Sequence, residues 1–199
     1  MRGVIAAAVL LVARLSSAHE SRQNEHGLLQ FRPDGTSLLY EVTFPEGPVS
    51  ARWFWTADLN RNGRLEEAEF GQLAASIAQE LSRRVQLTLE GNRLPWRVSD
   101  AKVRASSTKP DGKLAAIVLL ETREMPAGRR KIELRADPLV RSTAPAAIAF
   151  ESVVGDFVEV VGGRALEGGG GSLSRPSVGL ASGDRCRLLL NVEKQVPAR

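Results

Sequence analysis

Residues 28–44, LLQFRPDGTSLLYEVTF, contain two apolar runs on either side of a Pro-Asp-Gly turn. Pro, Asp and Gly each favour turn conformations for their own backbone reasons. Apolar residues occupy every second position of the second run, which indicates a strand with one buried face: Leu38, Tyr40, Val42 and Phe44. The stretch therefore predicts a β-hairpin at the start of the folded domain.

Strand patterns also dominate the chain after residue 84. They occur as VQLTL and LPWRV (85–98), LAAIVLLE (114–121), KIELR (131–135), AIAFESVVGDFVEVV (147–161) and CRLLLNVE (186–193). Residues 67–84 differ, because their apolar side chains recur at helical spacing. The sequence predicts an α+β fold, in which a mostly antiparallel β-domain carries one helical insert, residues 48–84, after the first hairpin.

The N-terminus has the composition of an export signal. Arg2 precedes an apolar run, Val4–Val12, and small residues end the segment at Ala18. We expect residues 1–18 to be a cleaved signal peptide that directs the protein to the periplasm or outside the cell. An uncleaved anchor and a wrongly assigned start are the alternatives. No later run is long enough to span a membrane.

Composition divides the remainder into four parts. We expect a flexible N-terminus at 19–27, the β-domain at 28–162 with its insert, a Gly/Ser-rich linker at 163–185 and a C-terminal strand and tail at 186–199. The single cysteine, Cys186, cannot form an internal disulfide and is expected to be a half-buried small hydrophobe.

The charge of the chain does not favour nucleic-acid binding. Its formal net charge is +4, and its arginines are scattered among acids instead of forming one basic stripe with aromatic residues. The sequence also lacks the usual catalytic patterns of hydrolases and phosphate-binding enzymes. We therefore expect a protein that is not an enzyme and does not bind nucleic acid.

Residues 58–69, DLNRNGRLEEAE, follow the pattern D-x-[DN]-x-[DN]-G-x5-E at every specified position. The matching residues are Asp58, Asn60, Asn62, Gly63 and Glu69. Calcium requires six to eight oxygen ligands, and a tight loop presents alternate side chains to its inside. The stretch resembles the calcium-binding loop of an EF-hand, a motif built of helix, loop and helix.

The resemblance implies one Ca²⁺ ion and a defined ligand set. Its ligands would be Asp58, Asn60, Asn62, the backbone carbonyl of Arg64, Glu66 and, in bidentate fashion, Glu69. The flanking apolar positions agree with the motif. The alternative is a polar loop at the start of a helix that never binds a metal.

The sequence contains one such loop, whereas EF-hands usually occur in pairs. Its formal ligand charge is −3, from Asp58, Glu66 and Glu69, and two arginines lie nearby. We expect weak affinity, with a Kd of roughly 10⁻⁵ to 10⁻³ M.

Two further features have more than one interpretation. His19 would become the N-terminus after cleavage and could bind copper or zinc together with His26, but two exposed histidines in a frayed terminus are the simpler interpretation. Trp53, Phe54 and Trp55 could form a docking patch, although packing of the insert against the sheet is the alternative we favour.

A looser resemblance covers residues 28–135. A hairpin, an approach rich in Trp, a calcium-type loop, a helix and the pattern L-x-L-x-G-x-x-L-P are similar to the exported soluble domains found ahead of HupE/UreJ-type membrane segments. Residues 136–199 contain no apolar run long enough to be such a membrane segment. Two functions are therefore expected from the sequence: a calcium-stabilised exported protein, or an accessory module whose calcium-ordered surface binds an unknown protein, for instance a membrane or metal-transport partner.

Overall fold

The computed structural model describes residues 24–32, 34–106, 109–110, 112–122, 128–140, 145–165 and 176–192. The predicted signal and His19 lie outside these residues. In chain order the elements are β1 (Glu25–Arg32), β2 (Gly35–Phe44), α1 (Pro48–Ala57), α2 (Glu67–Arg84), β3 (Val85–Leu89), β4 (Asn92–Leu94), β5 (Arg97–Ala105), β6 (Leu114–Glu121), β7 (Gly128–Ala136), β8 (Ala146–Ser152), β9 (Gly155–Gly162), β10 (Arg164–Ala165), β11 (Ser177–Leu180) and β12 (Arg185–Val192).

The strands form two sheets. The first has seven strands in the order β10-β11-β8-β1-β2-β6-β5, and the second has five in the order β4-β3-β7-β12-β9. The predicted hairpin is present as the antiparallel pair β1–β2, with Arg32 opposite Gly35. Among the described strand pairs only β1 and β8 run parallel. The prediction of a mostly antiparallel β-domain is confirmed.

One hydrophobic cluster holds the two sheets and the two helices together. It follows from the alternation of the strand sequences, because side chains of a strand point to opposite faces in turn. In β2 the four residues that the sequence predicted to share a face are all 0% exposed: Leu38, Tyr40, Val42 and Phe44. In β6 buried residues alternate with half-buried ones, as expected of a strand between two neighbours.

Helix α2 has the sequence of an amphipathic helix and is built as predicted. Its buried stripe includes Leu73, Ile77 and Leu81, while acids lie in its first turn and arginines in its last. Both charge placements favour the helix dipole. The helix contacts β3, β5 and β6, and β3 begins at the residue after its end. Helix α1 begins at Pro48, since proline is tolerated in the first turn.

Two predicted boundaries and the predicted burial of Cys186 differ from the structure. Residues 25–27 were assigned to a flexible terminus but belong to β1, because each pairs with β2. The predicted linker, 163–185, contains strands β10 and β11. It is not a linker there, because β11 pairs with β8 and buries Val178 and Leu180. The glycine-rich part of that linker, 166–175, lies outside the described residues. Cys186 is fully buried, not half-buried, because it faces the core from β12.

Candidate metal site

The residues that the sequence predicted as calcium ligands lie between and at the ends of the two helices. Asp58 is the C-cap of α1, directly after Ala57, and its backbone N–H donates to the Phe54 carbonyl at 3.0 Å. Glu66 is the N-cap of α2, and Glu69 lies in the first turn of that helix. We call residues 58–69 the 58–69 loop.

The Asp58 carboxylate organises the first half of the 58–69 loop. Its side chain is buried, at 3% exposure. Oδ1 accepts the backbone N–H of Asn62 at 3.1 Å, and Oδ2 accepts that of Gly63 at 2.9 Å. Gly63 has a φ of +75°, a conformation that side chains oppose and glycine adopts freely. The chain thus curls around one carboxylate.

Asn60 and Asn62 extend the same network towards the second helix. Asn60 Oδ1 accepts the Asn62 N–H at 2.9 Å, and Asn62 Oδ1 accepts the Arg64 N–H at 2.8 Å. The amide groups of both asparagines donate to Glu66 Oε1, at 3.3 and 3.2 Å. Arg61, between them, has a φ of +56°. These hydrogen bonds bring the three side chains together on the exposed side of the loop.

Glu69 closes the loop from the second helix. It is 6% exposed. Its Oε1 accepts the Leu59 N–H at 3.0 Å, and its Oε2 accepts the Glu66 N–H at 2.9 Å. The second bond belongs to a capping box, in which the N-cap residue and the third helical residue satisfy each other's backbone donors. One carboxylate therefore ties the start of the loop to the start of α2.

The side-chain and backbone oxygens of the 58–69 loop are of the kind that calcium prefers as ligands, since calcium is a hard cation. Within the described ranges, no three His, Cys, Asp or Glu side chains lie close enough together to hold a metal ion on their own. A cation here would therefore need the amide oxygens of Asn60 and Asn62 and the carbonyl of Arg64 besides the carboxylates. Asp58 Oδ1 and Oδ2, Asn60 Oδ1 and Asn62 Oδ1 each accept one of these hydrogen bonds and retain a second lone pair for a metal, whereas Glu66 Oε1 accepts two.

The aromatic residues before the loop divide between the core and the surface. Phe54 is 1% exposed, and the ring of Trp53 lies 5.6 Å from that of Phe44. Trp55, by contrast, is 54% exposed and Leu59 is 64% exposed. The predicted packing role holds for Trp53 and Phe54. Trp55 and Leu59 are exposed apolar side chains beside the loop.

The sequence did not predict the buried carboxyl of Glu25 in β1. Glu25 is 3% exposed, its Oε2 accepts the Tyr40 hydroxyl at 2.6 Å, and its Oε1 accepts the Val140 N–H at 2.6 Å. Burial raises the pKa of Glu25, and burial beside Glu25 raises the pKa of Tyr40 well above its ordinary value. Tyr40, on the core face of a predicted strand, was the sequence signal for such a group, because a buried Tyr hydroxyl usually has a hydrogen-bond partner.

The remaining candidate residues are placed as follows. His26 lies in β1, opposite Glu41, and not in a frayed terminus. Burial raises the pKa of the Cys186 thiol to about 12, so this sulfur is a poor nucleophile at neutral pH.

No helix in the described part of the chain is long and apolar enough to cross a membrane. A scan against protein-family models found no match to this chain, and a search of curated proteins found none either.

Proposed function

We propose that the protein is an exported calcium-binding protein, in which one Ca²⁺ ion bound by the 58–69 loop stabilises the helical insert on the β-domain. The observation that supports this most is the hydrogen-bonded ring of oxygen-bearing side chains from Asp58 to Glu69. The signal-like composition of residues 1–18 supports export.

Each ligand would contribute according to its chemistry. Asp58 and Glu69 would supply charge from buried positions, whereas Asn60 and Asn62 would supply neutral oxygens. Arg64 would act through its backbone carbonyl, so its exposed side chain does not oppose the ion. When bound, calcium would neutralise part of the negative charge that the loop carboxylates carry.

The ion would stabilise the folded protein by mass action. A ligand that binds only the folded state contributes RT ln(1 + [Ca]/Kd), which is about 1.4 kcal/mol for ~10⁻³ M calcium and a Kd of ~10⁻⁴ M. For a domain of this size that corresponds to a rise in Tm of about 3–5 °C. We expect a much smaller rise with magnesium, which gives up its water ligands reluctantly and needs a tighter octahedral site.

Calorimetry and thermal unfolding of matched variants test the proposal. Glu69→Gln should abolish the calcium-dependent rise in Tm, because it removes charge from the bidentate position. Glu67→Gln is the matched control: it removes the same charge from an exposed neighbour that the motif does not use. Arg64→Ala should also retain the response. A folded parent protein that shows no binding at millimolar calcium would contradict the proposal, and so would a calcium response in Glu69→Gln equal to that of Glu67→Gln.

A second candidate is a calcium-ordered docking module for a protein partner. It is favoured by the exposure of Trp55 and Leu59 next to the loop. Pull-down with and without calcium distinguishes the two candidates. Capture of a partner that needs calcium and is lost in Trp55→Ala, while the rise in Tm persists, would favour docking. A calcium response without any such capture favours the stabilising role.

A further inference from the structure

We propose that Asn62 is a modification site at which the side-chain amide is lost through attack by the backbone nitrogen of Gly63. The chain contains one Asn-Gly pair, and it lies in the middle of the 58–69 loop. The modification would change the charge of the loop at a predicted ligand position. The chemistry itself does not require calcium, whereas its consequence for the loop rests on the proposed function.

A carboxylate lies next to the attacking nitrogen. The Gly63 N–H donates to Asp58 Oδ2 at 2.9 Å, so a carboxylate is in position to take the proton as the nitrogen attacks. Gly63 has no side chain to hinder the approach. A Cβ at this position would meet no atom within 4 Å other than those of its chain neighbours, so nothing else packs against the glycine.

The reacting amide is also held at both ends. Asn62 Oδ1 accepts the Arg64 N–H at 2.8 Å, which stabilises the negative charge that develops on this oxygen when Cγ is attacked. Its amide nitrogen donates to Glu66 Oε1 at 3.2 Å. The matched residue Asn60 is followed by Arg61, whose side chain obstructs the same attack. Asn60 is therefore an internal control that should not react.

The proposed reaction balances without any oxidant or reductant. A bond forms between Gly63 N and Asn62 Cγ, the bond from Cγ to the amide nitrogen breaks, and ammonia leaves with the proton that Gly63 lost. The product is a five-membered imide. Water then opens the ring. Addition at Cγ gives aspartate, and addition at the main-chain carbonyl gives isoaspartate, with the backbone rerouted through the side chain.

The two products would affect the proposed calcium site in opposite ways. Aspartate raises the formal ligand charge from −3 to −4, which favours the cation. Isoaspartate lengthens the backbone and displaces the Gly63 N–H from Asp58. Bound calcium should slow the reaction, since it would make the Asp58 carboxylate a weaker base and hold the Asn62 side chain.

Peptide mass mapping during incubation of the folded full-length chain tests the proposal. Without calcium, we expect exchange of the amide for a hydroxyl at Asn62 and none at Asn60 over the same period. Asp58→Asn should slow the reaction about tenfold, the rate equivalent of one charge-assisted hydrogen bond. Gly63→Ala should slow it further by crowding the nitrogen. An Asn62 that survives as long as Asn60 would overturn the proposal.

Two measurements keep the result interpretable. Circular dichroism establishes whether Asp58→Asn folds, and if it does not, slowing of the parent reaction by calcium replaces that variant. Deamidation in Asp58→Asn at the parent rate would assign the reaction to the dipeptide alone and refute the role of Asp58. Calorimetry on the same samples separates the modification from calcium binding. If calcium binds but does not slow deamidation, the proposed protection of Asn62 by calcium is wrong. If Asn62 deamidates in a chain that binds no calcium, the modification site stands and the proposed calcium-binding function is wrong.

Discussion

Tyr40→Phe tests the buried pair that the structure places between β1 and β2. The Tyr40 hydroxyl is 0% exposed and donates to Glu25 Oε2 at 2.6 Å. A hydrogen bond to a charged group contributes about 1.5–3 kcal/mol, and its loss leaves a carboxylate oxygen buried without that donor. We expect Tyr40→Phe to reduce the free energy of unfolding by about 2 kcal/mol. This corresponds to a fall in Tm of about 4–8 °C.

The pH dependence of stability provides a sharper test of the same pair. Because burial raises the pKa of Glu25 in the folded state, the folded protein binds more protons than the unfolded chain above the ordinary pKa of a glutamate. The free energy of unfolding therefore falls as pH rises from the unfolded pKa through the folded pKa. The Tyr40 hydroxyl lowers the pKa of Glu25 by its hydrogen bond. Its removal should raise the pKa of Glu25 further and extend the fall to higher pH. Tyr40→Phe should therefore be most costly between neutral pH and the ordinary pKa of tyrosine, because above that pH the raised pKa of Tyr40 destabilises the parent protein as well.

Urea unfolding at several pH values, followed by tryptophan fluorescence, measures these effects. Glu25→Gln is the matched control, because a neutral amide can still accept the Val140 N–H and donate to Tyr40, but it does not titrate. We expect the contribution of Glu25 to the pH slope to vanish in Glu25→Gln. A Tyr40→Phe cost that is the same at acidic and at neutral pH, or a slope unchanged by Glu25→Gln, would refute the reasoning.

Three other predictions concern packing. Gly71→Ala, in an open position of α2, should stabilise the protein by about 0.5–1 kcal/mol, and a loss on urea unfolding would contradict this. Gly155→Ala should destabilise the protein by about 3 kcal/mol, since the added Cβ would lie 1.8 Å from the Asn191 carbonyl oxygen. A free energy of unfolding close to that of the parent would contradict this and show that the backbone moves to make room. Cys186, with its pKa raised to about 12, should react with thiol reagents only on unfolding, and rapid labelling of the folded protein would disprove its burial.

The local features of this chain could be predicted from sequence because their determinants lie within a few residues. The helix at 67–84 has an apolar stripe, acids in its first turn and arginines in its last, and the structure places the helix at those residues. The hairpin turn and the start of α1 at Pro48 are equally local. The polar 58–69 loop is folded by hydrogen bonds between residues at most ten positions apart.

The features that sequence did not predict depend on distant partners. Glu25 looks like part of a polar terminus, yet the partner of its Oε1, the N–H of Val140, lies 115 residues away. Ser177–Leu180 looks like linker by composition, yet β8 provides a strand with which it pairs. Composition indicates only the conformational preference of a segment in isolation. Pairing with an existing sheet edge supplies backbone hydrogen bonds that overcome a weak intrinsic preference.

The connection of the 58–69 loop to the rest of the chain determines how calcium would act on stability. Helix α2 runs into β3 without an intervening residue, and Leu73, Ile77 and Leu81 belong to the same buried cluster as both sheets. Opening the loop would leave Glu69 unable to cap α2, and loosening α2 would expose part of that shared cluster. The helical insert is therefore not a separately melting unit. Any stabilisation at the 58–69 loop should shift the unfolding of the whole domain, instead of adding a second transition.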